Sequence, residues 1–179
     1  AGSMGMIIGS NAVNFLNYIY HLIIGRMLGP ANYGELASLI SLIGLLGIIP
    51  GSLSLVIIKY VSASKDEAEM ATFVSWIKVR LLRASLIFSV AIIAFSPIIA
   101  SFLHINNLLY ILLIALSFLI SIQSLLNRSI LQGMLKFKEM ILSIFLENGA
   151  KLIVSIALVY LGFQVGGAVL AFAIAAVLG

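Results

Sequence analysis

Glu147 and Lys151 stand one helical turn apart inside the apolar run 139–161. At i and i+4 they share a helix face and can neutralise each other as a structural pair. Lys151 lies about 18 Å along the helix axis from Glu139, deep enough for charge to be expensive in a membrane. Ionisable groups at such depth commonly mark binding or conduction paths, so the pair can instead form a site for an anionic head group or a coupling ion. A second set lies near the start of the chain. Asn11, Asn14, Asn17 and His21, with Ser10 beside them, recur at steps of three, three and four residues, which places them along one helix face. Such a stripe can hydrogen-bond a neighbouring membrane helix or line a polar cavity. Arg26 follows on the same run. It can snorkel to outer head groups, or face a cavity as an arginine whose planar fork suits a pyrophosphate. Arg128, after Gln123 and Asn127, reads mainly as a charge that sets membrane orientation.

Other chemistry is excluded. Two histidines, His21 and His104, cannot build a His-rich metal site, and with no cysteine there is no disulfide, thiolate ligand or cysteine nucleophile. No phosphate-cradling loop of the nucleotide-hydrolysing kind is present. The chain is therefore expected not to be an enzyme and to use no cofactor or metal. A coupling ion, Na+ or H+, is left open.

The elements that must hold these side chains follow from composition. Of 179 residues, 63% are hydrophobic and 9% charged, and mean hydropathy is +1.23. A water-soluble domain is nearer half apolar and a quarter charged. The expected fold is an all-α, polytopic transmembrane helix bundle. A soluble enzyme is excluded, and no nucleic-acid partner is expected. The net charge of +4 reflects basic loops at a membrane surface.

Ala1 to Met4 reads as a tag scar ahead of a native methionine. Apolar runs of about 20 residues or more then predict six helices, at about 5–28, 35–59, 66–103, 108–132, 139–161 and 168–179. Turns fall at 29–34, 104–107 and 162–167. Ser64 to Glu67 fits a capping box opening the third helix, whose first part, with Trp76, Lys78, Arg80 and Arg83, reads as interfacial. Pro50 predicts a kink in the second helix, which can be static or bend during transport. Gly5-x-x-x-Gly9 and Gly47-x-x-x-Gly51 predict close helix approach. The sixth segment rises only about 18 Å against a hydrocarbon core of about 30 Å, so the chain reads as a fragment or as stopping where order stops.

Ten basic residues set the orientation. With the N-terminus in the cytoplasm, Lys59, Lys65, Lys78, Arg80, Arg83, Arg128, Lys136 and Lys138 flank the cytoplasmic side and Arg26 the other. Lys151 lies within a helix. The expectation is a multi-pass protein of the cell membrane.

Three stretches carry a family resemblance. Arg26-Met-Leu-Gly-Pro-Ala-Asn-Tyr-Gly34-Glu-Leu, followed by Ser41, Pro50 and Lys59-Tyr-Val-Ser62, resembles the start of the polysaccharide-biosynthesis, or oligosaccharide, flippases. Leu131 to Lys138 resembles the family's link between its fourth and fifth helices, and Gly162 to Ala168 its loop before the sixth. These proteins belong to the multidrug/oligosaccharidyl-lipid/polysaccharide exporter superfamily, and the resemblance covers nearly all of residues 5–179. It implies one six-helix lobe of a two-lobed fold of twelve or more helices around a V-shaped cavity. It implies translocation of undecaprenyl- or dolichyl-pyrophosphate-linked sugars by alternating access.

The expected function is accordingly a flippase for lipid-pyrophosphate-linked oligosaccharide, represented by its N-terminal lobe. Arg26, Asn11, Asn14, Asn17, His21, Glu147 and Lys151 are the expected cavity-lining or substrate-binding residues. The expected partners are membrane lipid, the lipid-linked oligosaccharide, and either a missing C-terminal lobe or a second copy of this lobe. Two rival readings are a drug/cation antiporter of the same superfamily, which would lean on Glu147, and a non-transporting scaffold of a glycan-synthesis complex.

Overall fold

The computed structural model describes residues 2–178 other than Lys65 and Asn106, with side chains from Gly9 onward. Among the described residues all regular structure is helical. The order is α1 (Gly2–Leu46), α2 (Ile48–Ala63), α3 (Glu67–Ala94), α4 (Ser96–Leu103), α5 (Leu108–Gly133), α6 (Phe137–Leu158), a π-helical turn (Val159–Phe163) and α7 (Gln164–Leu178). The chain is an all-α membrane bundle.

Among the described residues, three stretches are long and apolar enough to cross a membrane: Gly9–Ala63, Leu108–Gly133 and Phe137–Leu178. The bent pair α3–α4 makes a fourth. This count is lower than the expected six because two stretches, of 55 and 42 residues, each contain two of the expected helices. Both fold back at a glycine. Gly29 takes φ 73° and ψ 172° within α1, and beyond it Tyr33 Oη returns to 2.9 Å from His21 Nδ1. An unbroken helix would separate those residues by about 18 Å along its axis. Gly162 takes φ 92°, and Phe172 returns until its ring centre is 5.3 Å from Lys151 Nζ. A straight helix would hold them about 30 Å apart. Positive φ clashes with a Cβ, which glycine lacks.

Both reversals are tighter than the expected loops. The turn at 29–34 contracts to Gly29, because Pro30 has its ring-fixed φ and no N–H to satisfy and so opens the next helical run at once. The loop at 162–167 ends at Gln164. Gly166 and Gly167 belong to α7, where their missing side chains admit close packing: a Cβ on Gly167 would lie 2.8 Å from Leu158 Cβ, and one on Gly166 3.1 Å from the Tyr110 ring.

The expected single helix at 66–103 is bent by 63° between α3 and α4. Pro97, in the first turn of α4, cannot extend the backbone ladder of α3. The expected capping box does not form. Ser64 closes α2, its Oγ donating to the Tyr60 carbonyl at 3.1 Å. Asp66 opens α3, its carboxylate accepting from Ala68 N at 3.0 Å, where a negative charge also suits the helix dipole. Lys65, inside that motif, lies outside the described residues. Asn107 caps α5 in the same way, accepting from Leu109 N at 3.0 Å.

α5 is the central element, packed on α2, α3 and α7, while α6 packs on α1 and α7. Tyr20, Ile24, Leu36, Leu39, Ile111, Ile114, Leu126, Val165 and Val169 are fully buried. Serines cross-link the helices: Ser89 Oγ donates to the Ala115 carbonyl at 3.0 Å and Ser124 Oγ to the Ala176 carbonyl at 2.9 Å. Bonds of this kind hold helices together where lipid removes the hydrophobic drive. Close approach occurs at Gly9, where a Cβ would lie 2.5 Å from Ile141, and at Gly133, 2.7 Å from Val61 Cβ. The expected seam at Gly47 and Gly51 does not form: a Cβ on Gly51 would meet nothing within 4 Å, and one on Gly47 only the Ile43 and Gly44 carbonyls of the preceding turn, at 3.3 and 3.4 Å. These glycines instead loosen the α1–α2 junction at Gly47, where Pro50 leaves the Leu46 carbonyl without its helical donor.

Candidate intramembrane binding site

α6 carries Glu147, Asn148 and Lys151, and α1 carries Asn17 and Tyr20. Glu147 and Asn148 lie four and three residues before Lys151, and Tyr20 three after Asn17, so each set lies on one side of its helix. Where α1 packs on α6, the two faces meet around the Lys151 ammonium. Lys151 Nζ donates to Asn17 Oδ1 at 2.8 Å and to Asn148 Oδ1 at 2.9 Å. It also stands 5.1 Å from the Tyr20 ring centre and 5.3 Å from that of Phe172 on α7. The two rings meet edge to face at 6.0 Å. Asn148 Nδ2 donates to the Ile144 carbonyl at 2.8 Å, which aims its oxygen at the lysine. Amide oxygens and π faces stabilise an ammonium without cancelling its charge.

Glu147 does not pair with Lys151 as the spacing predicts. Its carboxylate is bound by Arg128 of α5. Arg128 Nε also donates to Ser143 Oγ at 3.1 Å. A guanidinium fork reaches two acceptors at once, so Arg128 ties α5 to two positions on α6. It is more than an orientation charge. The cluster then holds two cations, Arg128 and Lys151, and one carboxylate, Glu147, for a net charge of +1.

Glu147 and Lys151 line a cavity of about 260 Å³. Its other walls include Gly47 and Pro50 at the α1–α2 junction, Ser117 and Ser121 of α5, and Phe172. Of the expected site residues, Asn17, Glu147 and Lys151 come together here. Asn11, Asn14, His21 and Arg26 are exposed and lie off this cavity. His21 is paired with Tyr33.

One family matches the chain, over residues 2–179: the one described as polysaccharide biosynthesis protein. The chain belongs to that family. No curated protein and no solved structure matches it. The polysaccharide biosynthesis family consists of transporter-type membrane proteins, flippases or exporters, rather than enzymes.

Sequence reading missed four partners in this family member. Arg128 lies 19 positions from Glu147, and no local spacing connects them. Asn148 was visible beside Glu147 but its role was not. Phe172 reaches Lys151 only through the reversal at Gly162. Tyr20 had a signal: it stands three residues after Asn17, on the asparagine face. Its hydroxyl and Ser155 Oγ are buried neighbours that do not reach hydrogen-bonding geometry with each other, nor with any other described residue.

Proposed function

We propose that this chain is the substrate-handling lobe of a flippase that moves lipid-pyrophosphate-linked oligosaccharide across the cell membrane by alternating access. The observation that carries the reading is Lys151: a cation inside the bundle, at a cavity wall, oriented by neutral oxygens while the adjacent carboxylate is bound by Arg128. Such a centre attracts an anion, and a phosphate joining a sugar to a lipid supplies one. The N-terminus lies in the cytoplasm, on the basic-residue distribution. A second lobe, or a second copy of this one, closes against the polar face of α1, where exposed Asn11, Asn14, His21 and Arg26 extend the cavity toward the sugar. A drug/cation antiporter is the weaker reading, because cation exchange needs an available carboxylate and Glu147 is engaged.

Translocation of a fluorescent polyprenyl-pyrophosphate oligosaccharide in proteoliposomes is the direct test. Transport that falls with Lys151→Gln is the expected result. No saturable binding, together with flipping at the rate of protein-free vesicles, overturns the reading. Cysteines at Asn32 and Glu67 should label from opposite sides of the membrane; same-side labelling defeats the orientation.

A further inference from the structure

A second cavity, of about 370 Å³, lies beside the polar one. It is formed where the α1–α2 junction faces α3 and α5. Leu53 and Phe88 stand at its exposed rim, with Leu81 and Ser85 buried beneath. Ser85 is its one hydroxyl, and that hydroxyl is spent on the Leu82 carbonyl at 2.9 Å. The surface is therefore hydrocarbon. Pro50, Phe118 and Ile122 line both cavities. Phe118 and Ile122 are one turn apart, about 6 Å of helix, so a single layer of side chains divides the chamber lined by Glu147 and Lys151 from an apolar groove.

We propose that the groove holds the polyprenyl tail of an amphiphile whose anionic head is attracted by Lys151, a proposal that rests on the function given above. Three features point to this occupant rather than to bulk lipid. The groove adjoins the charged cavity through shared wall residues. Its floor, at Pro50, Leu81, Phe118 and Ile122, is buried within the bundle, deeper than a lipid-facing helix surface. Its rim, at Leu45, Ile48 and Ile49, is exposed, so a long chain can enter sideways from the bilayer while its head stays in the chamber. Burial of successive chain carbons in a dry groove adds affinity carbon by carbon, and the head supplies the specificity that hydrocarbon cannot.

The experiment uses a polyprenyl pyrophosphate with a diazirine on its hydrocarbon chain, photolysed with the protein in nanodiscs and mapped by peptide mass spectrometry. Labelling should concentrate in residues 45–53 and 81–88, and unlabelled polyprenyl pyrophosphate should compete it away. Ala84→Trp, which fills the groove, should weaken binding of that probe about tenfold or more and leave binding of inorganic pyrophosphate unchanged. Leu53→Trp, at the exposed rim, tests the same space without disturbing the buried floor. Lys151→Gln should weaken both ligands. Phosphatidylcholine carrying the same diazirine and labelling these segments equally well would overturn the proposal, and so would a polyprenyl label that falls on α6 and α7. In either case retained, Lys151-dependent pyrophosphate binding leaves the functional reading standing. Saturable binding of neither pyrophosphate ligand defeats the functional reading and the groove assignment with it.

Discussion

Two cations lie within reach of α6, and the bundle treats them differently. Arg128 comes from α5 and is closed against the Glu147 carboxylate and the Ser143 hydroxyl. Lys151, one turn beyond Glu147, is held by two amide oxygens and two aromatic faces drawn from three helices. The first arrangement neutralises charge and ties two helices together. The second orients a charge with no carboxylate hydrogen-bonded to it. A bilayer makes both arrangements costly, so their cost alone does not separate them. The chemistry of the partners does: a carboxylate cancels a cation's field, whereas dipoles and quadrupoles only make it tolerable. On the proposed function, the second centre is the one that receives an anion.

The largest effect should come from opening the closed centre. Arg128→Ala strands Glu147 and should cost about 3 kcal/mol, read as lower folded yield and thermal stability in detergent. Adding Glu147→Ala should recover much of that loss. If the double variant is no better than the single, Arg128 and Glu147 are not coupled. Lys151→Gln follows. It should preserve the fold and weaken binding of polyprenyl pyrophosphate about tenfold, or about 1.4 kcal/mol. A variant that unfolds while Arg128→Ala does not would reverse the roles assigned to the two centres.

Asn17→Ala removes one of two oxygens from the ammonium and should cost about 1 kcal/mol. It joins α1 to α6, so the loss should appear both in stability and in pyrophosphate affinity. Asn14→Ala, on the exposed part of the same face, should change neither stability nor pyrophosphate affinity, and equal effects of the two would mean that the stripe acts as one unit. Tyr20→Phe should have the smallest effect, within about 0.5 kcal/mol. It keeps the π face toward Lys151 and deletes a buried hydroxyl that lacks a hydrogen bond. A large loss would show that the hydroxyl, rather than the ring, serves the lysine.

The membrane bundle was legible in the residues because bilayer thickness imposes a run length that apolar sequence must meet. The reversals were legible as well, from Gly29-Pro30 and Gly162, although their tightness was not. Pro30 restarts a helix by its own ring geometry, whereas at Gly166 and Gly167 the neighbours that a side chain would meet, Tyr110 and Leu158, are set by packing. Those contacts are not local to the turn. The bend before Pro97 has a local cause, but the apolar run continues through it and reads as one helix.

The charged centre divides along the same line. Sequence alone determined which polar groups lie within apolar helices and which of them share a face, since helical periodicity is a property of one segment. It placed Asn17, Glu147 and Lys151 among the residues of interest and marked the chain as a member of a transporter family. Which partner each group takes was decided by tertiary structure. Glu147 could reach Lys151 by spacing alone, yet α5 brings a guanidinium that serves two acceptors, and α1 offers the lysine an amide oxygen beside an aromatic face. Hydrogen bonds act over about 3 Å, a range at which helices distant in sequence compete equally with neighbours on the same one. Only their packing settles which competitor arrives.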